Sequence, residues 1–121
     1  MGQYFKAVNV TKKEYVSPYD IGGTAKLWEW CVNHIAGIFP YLLRRSTQHG
    51  GGDVHLENPQ YAGRWAGDEV YLVGDYDESR LYQRAEQEFT NIASGLVKEY
   101  NEFIELNDRK LEDQTGRPKY S

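Results

Sequence analysis

The chain has 121 residues, a formal net charge of −4 at pH 7 and a hydrophobic content of 40%. These values are typical of one folded domain with a modest core rather than of a disordered chain. The acidic balance argues against a general nucleic-acid binder, which usually presents a basic surface. The single cysteine, Cys31, excludes an internal disulfide, and its place in an apolar helical stripe predicts a buried structural thiol.

The N-terminal part predicts two short strands followed by a helix. Residues 4–10 alternate in side-chain character, and a polar turn separates them from a second strand at 14–17. Apolar residues then recur at steps of three and four, which predicts a helix over 25–45. Gly37 and Pro40 should kink this helix or split it in two, because proline removes a backbone donor and crowds the preceding turn.

The centre of the chain predicts a β-hairpin. Residues 60–66 and 69–75 are apolar and aromatic runs, and Gly67-Asp68 between them supplies the positive φ of a tight turn. Residues 46–60, which include three consecutive glycines, have no regular pattern and should form a loop.

A single long amphipathic helix is predicted over 79–108, capped by Asp77 or Ser79. Its apolar ladder is longer than a small sheet can cover, so we expect a homo-oligomer formed through this C-terminal helix. The ladder consists of Phe89, Ile92, Leu96, Tyr100 and Phe103. The segment 114–121 should be a disordered tail, which leaves 1–113 as a single domain.

The order of predicted elements is therefore ββαββα. Short strands joined by hairpins and followed by helices indicate an α+β fold, a four-stranded antiparallel sheet covered on one face by helices. The most apolar segment, 27–43, is interrupted by polar residues and is unsuited to spanning a bilayer. The opening residues also lack the apolar stretch of a signal peptide. We expect a cytoplasmic protein with no membrane partner.

Carboxylates and imidazoles near the hairpin could hold a divalent metal. Hard cations prefer oxygen ligands, and Asp53-Val54-His55 places two candidate ligands on one face if it is extended. Asp75 and Asp77 could join them, together with His49, if the glycine loop folds over that edge of the sheet. Asp68 lies at the other end of its strand, ~20 Å away, and cannot share the same ion. No cofactor is required by this pattern, although a divalent metal is possible.

The same edge could instead hold a small nucleotide. Consecutive backbone N–H groups around Gly51 can form an anion-binding nest, and Arg64 would add positive charge for a phosphate. An aromatic side chain would stack on the base. We therefore place the candidate site between the loop His49–His55 and the strand exit at Gly74, Asp75, Tyr76 and Asp77.

Several short motifs resemble a small uncharacterised family of bacterial and phage proteins. They are the opening M-G-Q-Y-F-K-A-V-N, the K-x-E-Y that follows, the G-G-G-D loop, W-A-G-D and G-D-Y, and they fall within about the first 78 residues. The resemblance implies a small phage or mobile-element accessory protein, located in the host cytoplasm if viral. It assigns no role to any residue.

The leading hypothesis is a non-enzymatic binding or accessory protein, such as a phage-encoded inhibitor or a ligand-sequestering protein. Its partner would be a host protein or a small nucleotide, and nucleic acid is not expected. The alternative hypothesis is a divalent-metal-dependent phosphodiesterase or nuclease that uses Asp53, His55, Asp75 and Asp77.

Overall fold

The structure is a computed structural model that describes residues 2–117. Its fold is α+β, as predicted. The strands are β1 (Phe5–Asn9), β2 (Glu14–Val16), β3 (Val70–Gly74) and β4 (Thr90–Asn91). The helices are α1 (Leu27–Val32), α2 (Ile38–Leu43), α3 (Leu81–Glu88) and α4 (Ala93–Phe103). Within the described range, no helix is long and apolar enough to cross a membrane.

The four strands form a mixed sheet in the order β3-β1-β2-β4. β1 is antiparallel to both β2 and β3, whereas β4 is parallel to β2, with Thr90 opposite Glu14 and Asn91 opposite Tyr15. The prediction of an entirely antiparallel sheet is therefore wrong. The physical reason is that α3 carries the chain across the sheet, so that β4 runs in the same direction as β2.

The predicted hairpin is absent because residues 60–66 form consecutive turns instead of a strand. The backbone N–H of Gly63 donates to the carbonyl of Tyr41 at 2.8 Å, and that of Trp65 donates to Leu42 at 2.9 Å. The segment thus uses its donors on the last turn of α2. β3 is present at the predicted position, but its partner is β1.

The predicted helix 25–45 is split, and the break lies at Asn33 rather than at Pro40. Asn33 has an extended ψ of 145°, and its side chain accepts a hydrogen bond from the N–H of Ile35 at 3.0 Å. Pro40 lies in the first turn of α2. A helix leaves its first N–H groups without internal partners, so proline is tolerated there.

The predicted long helix 79–108 is also wrong, because β4 lies within it and separates α3 from α4. Thr90 donates its N–H to the carbonyl of Lys13 at 2.9 Å, which draws the backbone into the sheet. The Asn91 side chain then accepts from the N–H of Ala93, the first residue of α4, at 2.9 Å. The first of these two helices begins at Leu81 rather than at 79, with Arg80 at the N-cap position, and Ser79 Oγ accepts from the N–H of Leu81 at 3.1 Å.

Helices cover both faces of the sheet, whereas the sequence predicts helices on one face. α3 packs on one face through a small cluster of Val8, Val73, Leu81 and Ala85. Successive side chains of a strand point to opposite faces of the sheet. Ala7, which precedes Val8 in β1, therefore belongs to the larger core on the other face. That core contains residues of α1, α2 and α4.

The apolar ladder of the C-terminal segment is packed within the chain. Ile92, Leu96 and Tyr100 are buried in the larger core, and Phe89 and Phe103 are half-buried. The surplus apolar surface that motivated the predicted homo-oligomer is therefore covered. Self-association through this helix stays a prediction, and the apolar ladder no longer supports it.

α1 presents an apolar face to solvent, and Cys31 lies on it. The cysteine is exposed, which corrects the prediction of a buried thiol. Trp28 and Val32 on the same helix are 64% and 75% exposed. The reason is the break after Val32: a helix of six residues buries only one side, and here it buries Trp30.

The predicted tail lies partly outside the described residues. Residues 118–121 are not described, so the expectation of disorder there stays untested. Just before them, the N–H of Gln114 donates to the carbonyl of Asp20 at 2.9 Å, which connects the end of the described chain to the turn before α1.

Candidate ligand-binding site

The glycine loop is held against the end of α2 by an ion pair. Arg44 donates from Nε to Asp53 Oδ1 at 2.7 Å and from Nη2 to Oδ2 at 2.5 Å. The N–H of Val54 also donates to Asp53 Oδ1, at 2.8 Å. The hydrogen bonds from Arg44 are the main reason why the pKa of the Asp53 carboxyl is well below its usual range. Both charges of the pair are therefore present at neutral pH.

A cavity of about 350 Å³ lies between α2, the glycine loop and α4. Most of its wall is apolar or aromatic. The lining residues are Gly37, Pro40, Tyr41, Arg44, Gly52, Asp53, Val54, Ala62, Tyr100, Phe103 and Ile104. We call this space the α2–α4 cavity. Its composition is that of a small-molecule pocket, in which a mainly apolar wall carries a few polar groups.

Three aromatic rings form the inner wall of the cavity. The ring centroids of Tyr41 and Phe103 are 5.1 Å apart, and those of Tyr41 and Tyr100 are 5.5 Å apart in an edge-on arrangement. Gly37 makes this packing possible, because a Cβ at this position would lie 2.3 Å from Tyr100 Oη. Such mutually packed rings form a rigid apolar surface.

Behind this wall, Glu99 positions both Tyr41 and the turn segment. Its carboxylate accepts from the Tyr41 hydroxyl at 2.6 Å and from the backbone N–H groups of Gln60, Tyr61 and Ala62 at 2.5, 2.9 and 3.0 Å. Burial and the Glu99 carboxylate raise the pKa of Tyr41 far above its ordinary value. The phenol is therefore a fixed hydrogen-bond donor rather than an acid.

In the loop half of the predicted site, hydrogen bonds hold Asp53 in place, and the other three residues are exposed. Asp53 is held as described, and His49 Nδ1 lies 3.4 Å from its Oδ2. His49, Gly51 and His55 are exposed. A Cβ added at Gly51 would meet no atom within 4 Å. The structure thus supports a role in lining the cavity for Asp53, but not for these three neighbours.

Arg64 is engaged by a buried carboxylate. Its Nε lies 3.0 Å from both oxygens of Glu14, and its Nη2 lies 2.5 Å from Oε2. Trp65 Nε1 donates to the same carboxylate at 2.9 Å. The guanidinium therefore neutralises a charge within the chain, and the hypothesis that it holds a phosphate loses its main support.

The strand-exit half of the predicted site stabilises the fold locally. Asp75 Oδ1 accepts from the N–H of Tyr4 at 2.9 Å, and Asp77 Oδ2 accepts from the N–H of Ser79 at 3.1 Å. Tyr76 is 59% exposed. Asp77 thus holds the turn before α3, and it bonds to no N–H group of the helix itself, so it does not have the capping role predicted for it.

The two halves of the predicted site lie on different concave surfaces of the described chain. Asp53 lines the α2–α4 cavity, whereas Asp77 lines a separate groove along β3. Among residues 2–117 there is no group of three or more His, Cys, Asp or Glu side chains that could hold a metal ion. The ligand set proposed for a metal enzyme, with His55 and Asp75, is therefore not assembled in this part of the chain.

The residues that form the cavity were predicted as core rather than as site. Tyr100 and Phe103 belong to the apolar ladder of the C-terminal segment, and helical spacing marks them only as buried. Tyr41 follows Pro40 within the apolar stretch of the first helix. Nothing in local spacing indicates that these rings would meet, because their contact depends on how α4 packs against α2.

Comparisons with protein-family models, curated proteins and solved structures found no match to this chain.

Proposed function

We propose that this chain is a non-enzymatic binding protein that sequesters a small, neutral, mainly apolar molecule in the α2–α4 cavity. The observation that carries the proposal is a volume of about 350 Å³ walled by Tyr41, Tyr100 and Phe103. Ligand pockets in proteins occupy roughly 300–1,000 Å³, so this space suits a molecule of one or two rings.

The charges at the cavity favour a neutral ligand. Arg44 and Asp53 are the charged residues in its wall, and they form a two-point ion pair with each other. A charged ligand would have to break this pair or lose hydration without gaining a free opposite charge. A flat apolar molecule would instead displace water from the aromatic wall.

The lining residues favour binding over catalysis. Those within residues 2–117 include no Ser, Cys, His or Lys that could act as nucleophile or base. The Tyr41 hydroxyl is engaged by Glu99, and its raised pKa opposes proton loss. The alternative, a metal-dependent phosphodiesterase or nuclease, needs several ligands around one ion, and the described residues do not assemble them.

A thermal-shift comparison tests the ligand class. The probes are indole, indole-3-carboxylate, AMP, and Mg²⁺ or Mn²⁺. We expect indole to raise the melting temperature, because a ligand that binds only the folded state at 100 times its Kd stabilises it by about 2.7 kcal/mol. Stabilisation by AMP or by a metal, with none by indole, would contradict the proposal.

Two alanine-to-leucine variants test whether indole binds in the cavity. Ala62→Leu adds side-chain volume at the cavity wall, whereas Ala66→Leu makes the same change at a half-buried position of the same segment that is outside the lining. The Ala62 variant should lose the indole-induced shift, and the Ala66 variant should retain it. Equal shifts in both variants would place indole elsewhere.

A further inference from the structure

β3 is an edge strand, and its open part is the end that carries Val70 and Leu72, since Val73 and Gly74 are buried. Among residues 2–117 the sheet order is β3-β1-β2-β4 and β3 pairs with β1 alone, and the five residues of β3, V-Y-L-V-G, include no lysine or proline. Those are the residues by which proteins commonly protect an open edge. The opposite edge, β4, has only two residues and offers little backbone to a partner.

The pairing register shows which backbone groups of β3 point outward. The N–H of Asp75 donates to the carbonyl of Tyr4, the residue before β1, at 2.9 Å. Bonding alternates along an antiparallel strand, so Val73 and Tyr71 also direct their N–H and C=O groups towards β1. Leu72 and Val70 direct theirs away from the sheet. These two residues offer two donors and two acceptors to an added strand.

A groove of about 420 Å³ follows this edge. Phe5, Leu72 and Leu81 contribute apolar surface to it, and Tyr71, which is 48% exposed, forms part of its wall. An extended segment lying here could bury alternate side chains in the groove while its backbone pairs with β3.

Acidic residues lie at both ends of the edge. Glu69 precedes β3, and Asp75, Asp77 and Glu78 follow it, with Arg80 as the nearest following cation in the sequence. This distribution complements a basic segment. It also opposes a second copy, because antiparallel pairing centred on β3 itself would place Glu69 of one copy opposite Asp75 of the other.

We propose that the open edge of β3 binds an extended, basic segment of another protein, which joins the sheet as a fifth strand. Backbone hydrogen bonds to Leu72 and Val70 hold the segment, and lysine or arginine side chains at its ends face Glu69 and Asp75. This surface is separate from the α2–α4 cavity and does not depend on its ligand.

Amide hydrogen exchange with a defined peptide tests the proposal. The probe is a blocked hexapeptide of alternating lysine and valine, and a glutamate–valine hexapeptide is the control. At saturating lysine peptide, exchange at Leu72 and Val70 should slow at least tenfold, with little change at Tyr71 and Val73, which are already paired. The glutamate peptide should have no such effect.

Three outcomes would overturn the proposal. The first is unchanged exchange at Leu72 and Val70 with the lysine peptide, and the second is equal protection by the glutamate peptide. The third is protection of Leu72 that grows with protein concentration and needs no peptide, which would mean that a second copy occupies the edge.

Two lysine variants test whether the peptide binds at this edge or on the apolar face of α1. Tyr71→Lys puts a repelling charge on β3 at a half-exposed position, so peptide affinity should fall at least tenfold. Val32→Lys makes a comparable change on α1, where the side chain is 75% exposed, and should leave affinity unchanged. The reverse result would assign peptide binding to α1 and contradict the proposal.

Discussion

Arg64 and Glu14 form a two-point ion pair between residues fifty positions apart. Arg64 Nε lies 3.0 Å from Glu14 Oε1, and Nη2 lies 2.5 Å from Oε2. Glu14 is only 5% exposed, and Trp65 Nε1 gives its carboxylate a further hydrogen bond. The pair connects β2 to the turn segment that carries Trp65. It is therefore a structural contact on which the position of that segment depends.

The first prediction concerns Glu14→Gln. The variant removes the negative charge that compensates Arg64. It also replaces one carboxylate oxygen by an NH₂ group, so that the N–H donors of Arg64 and Trp65 lose an acceptor at this buried position. We expect the free energy of unfolding to fall by about 2–3 kcal/mol. Urea denaturation followed by fluorescence measures this change. Glu88→Gln, which alters an exposed pair with Arg84, should change stability by less than about 0.5 kcal/mol. Equal effects would contradict the expected role of burial.

The second prediction is the pH dependence of the same site. Burial by itself raises the pKa of Glu14, but hydrogen bonds from Arg64 and Trp65 outweigh it and hold the pKa below its ordinary value of 4.5. The ionised carboxylate therefore contributes stability above about pH 4.5, and this contribution is lost as the pH falls through the folded-state pKa. Between pH 6 and 3, Glu14→Gln should lose less stability than the wild-type chain does. Parallel pH profiles would count against this prediction.

The third prediction concerns Glu99→Gln. A glutamine side chain keeps one acceptor oxygen and presents an NH₂ group to donors that need an acceptor. The backbone amides of Gln60, Tyr61 and Ala62 should exchange hydrogen at least tenfold faster, and stability should fall by about 2 kcal/mol. Glu102→Gln, at an exposed position of the same helix, is the control and should leave these amides unchanged. Unaltered exchange in the Glu99 variant would show that the carboxylate does not hold this turn.

The fourth prediction compares two glycines that share a positive φ. Gly63 has φ +75° and a Cβ there would lie 2.5 Å from the carbonyl oxygen of Arg44, whereas Gly67 has φ +81° and open space. Gly67→Ala should reduce stability by about 1 kcal/mol, which is the conformational penalty alone. Gly63→Ala should reduce it further because the backbone must also move. Thermal denaturation of both variants gives the difference, and equal values would rule out the steric effect.

The fifth prediction concerns the thiol of Cys31. Because the cysteine is exposed on α1, one equivalent of a thiol reagent such as DTNB should react with the native protein without denaturant. Cys31→Ser provides the blank. Reaction only after unfolding would show that α1 is covered.

Local patterns were enough to predict the elements whose structure depends on neighbours in sequence. Alternation predicted β1 and β2, and the apolar run before Asp75 predicted β3. The sequence places a helix start near Asp77 and Ser79, and the Ser79 hydroxyl accepts from the N–H of Leu81, where α3 begins. In each case the deciding interactions are short in sequence: alternate faces of one strand, or a side chain bonded to a backbone group two residues away.

The sequence by itself thus determined an α+β chain with these strands, and it could not determine how distant segments pair. The break between α3 and α4 arises because the N–H of Thr90 donates to the carbonyl of Lys13, and helical periodicity in the segment gives no sign of that bond. The predicted strand 60–66 became turns because its N–H groups bond to α2 and to Glu99. The cavity exists because α4 then packs against α2. Only the tertiary structure decided these features, since hydrogen bonds between remote segments outweigh the weak preferences of local sequence.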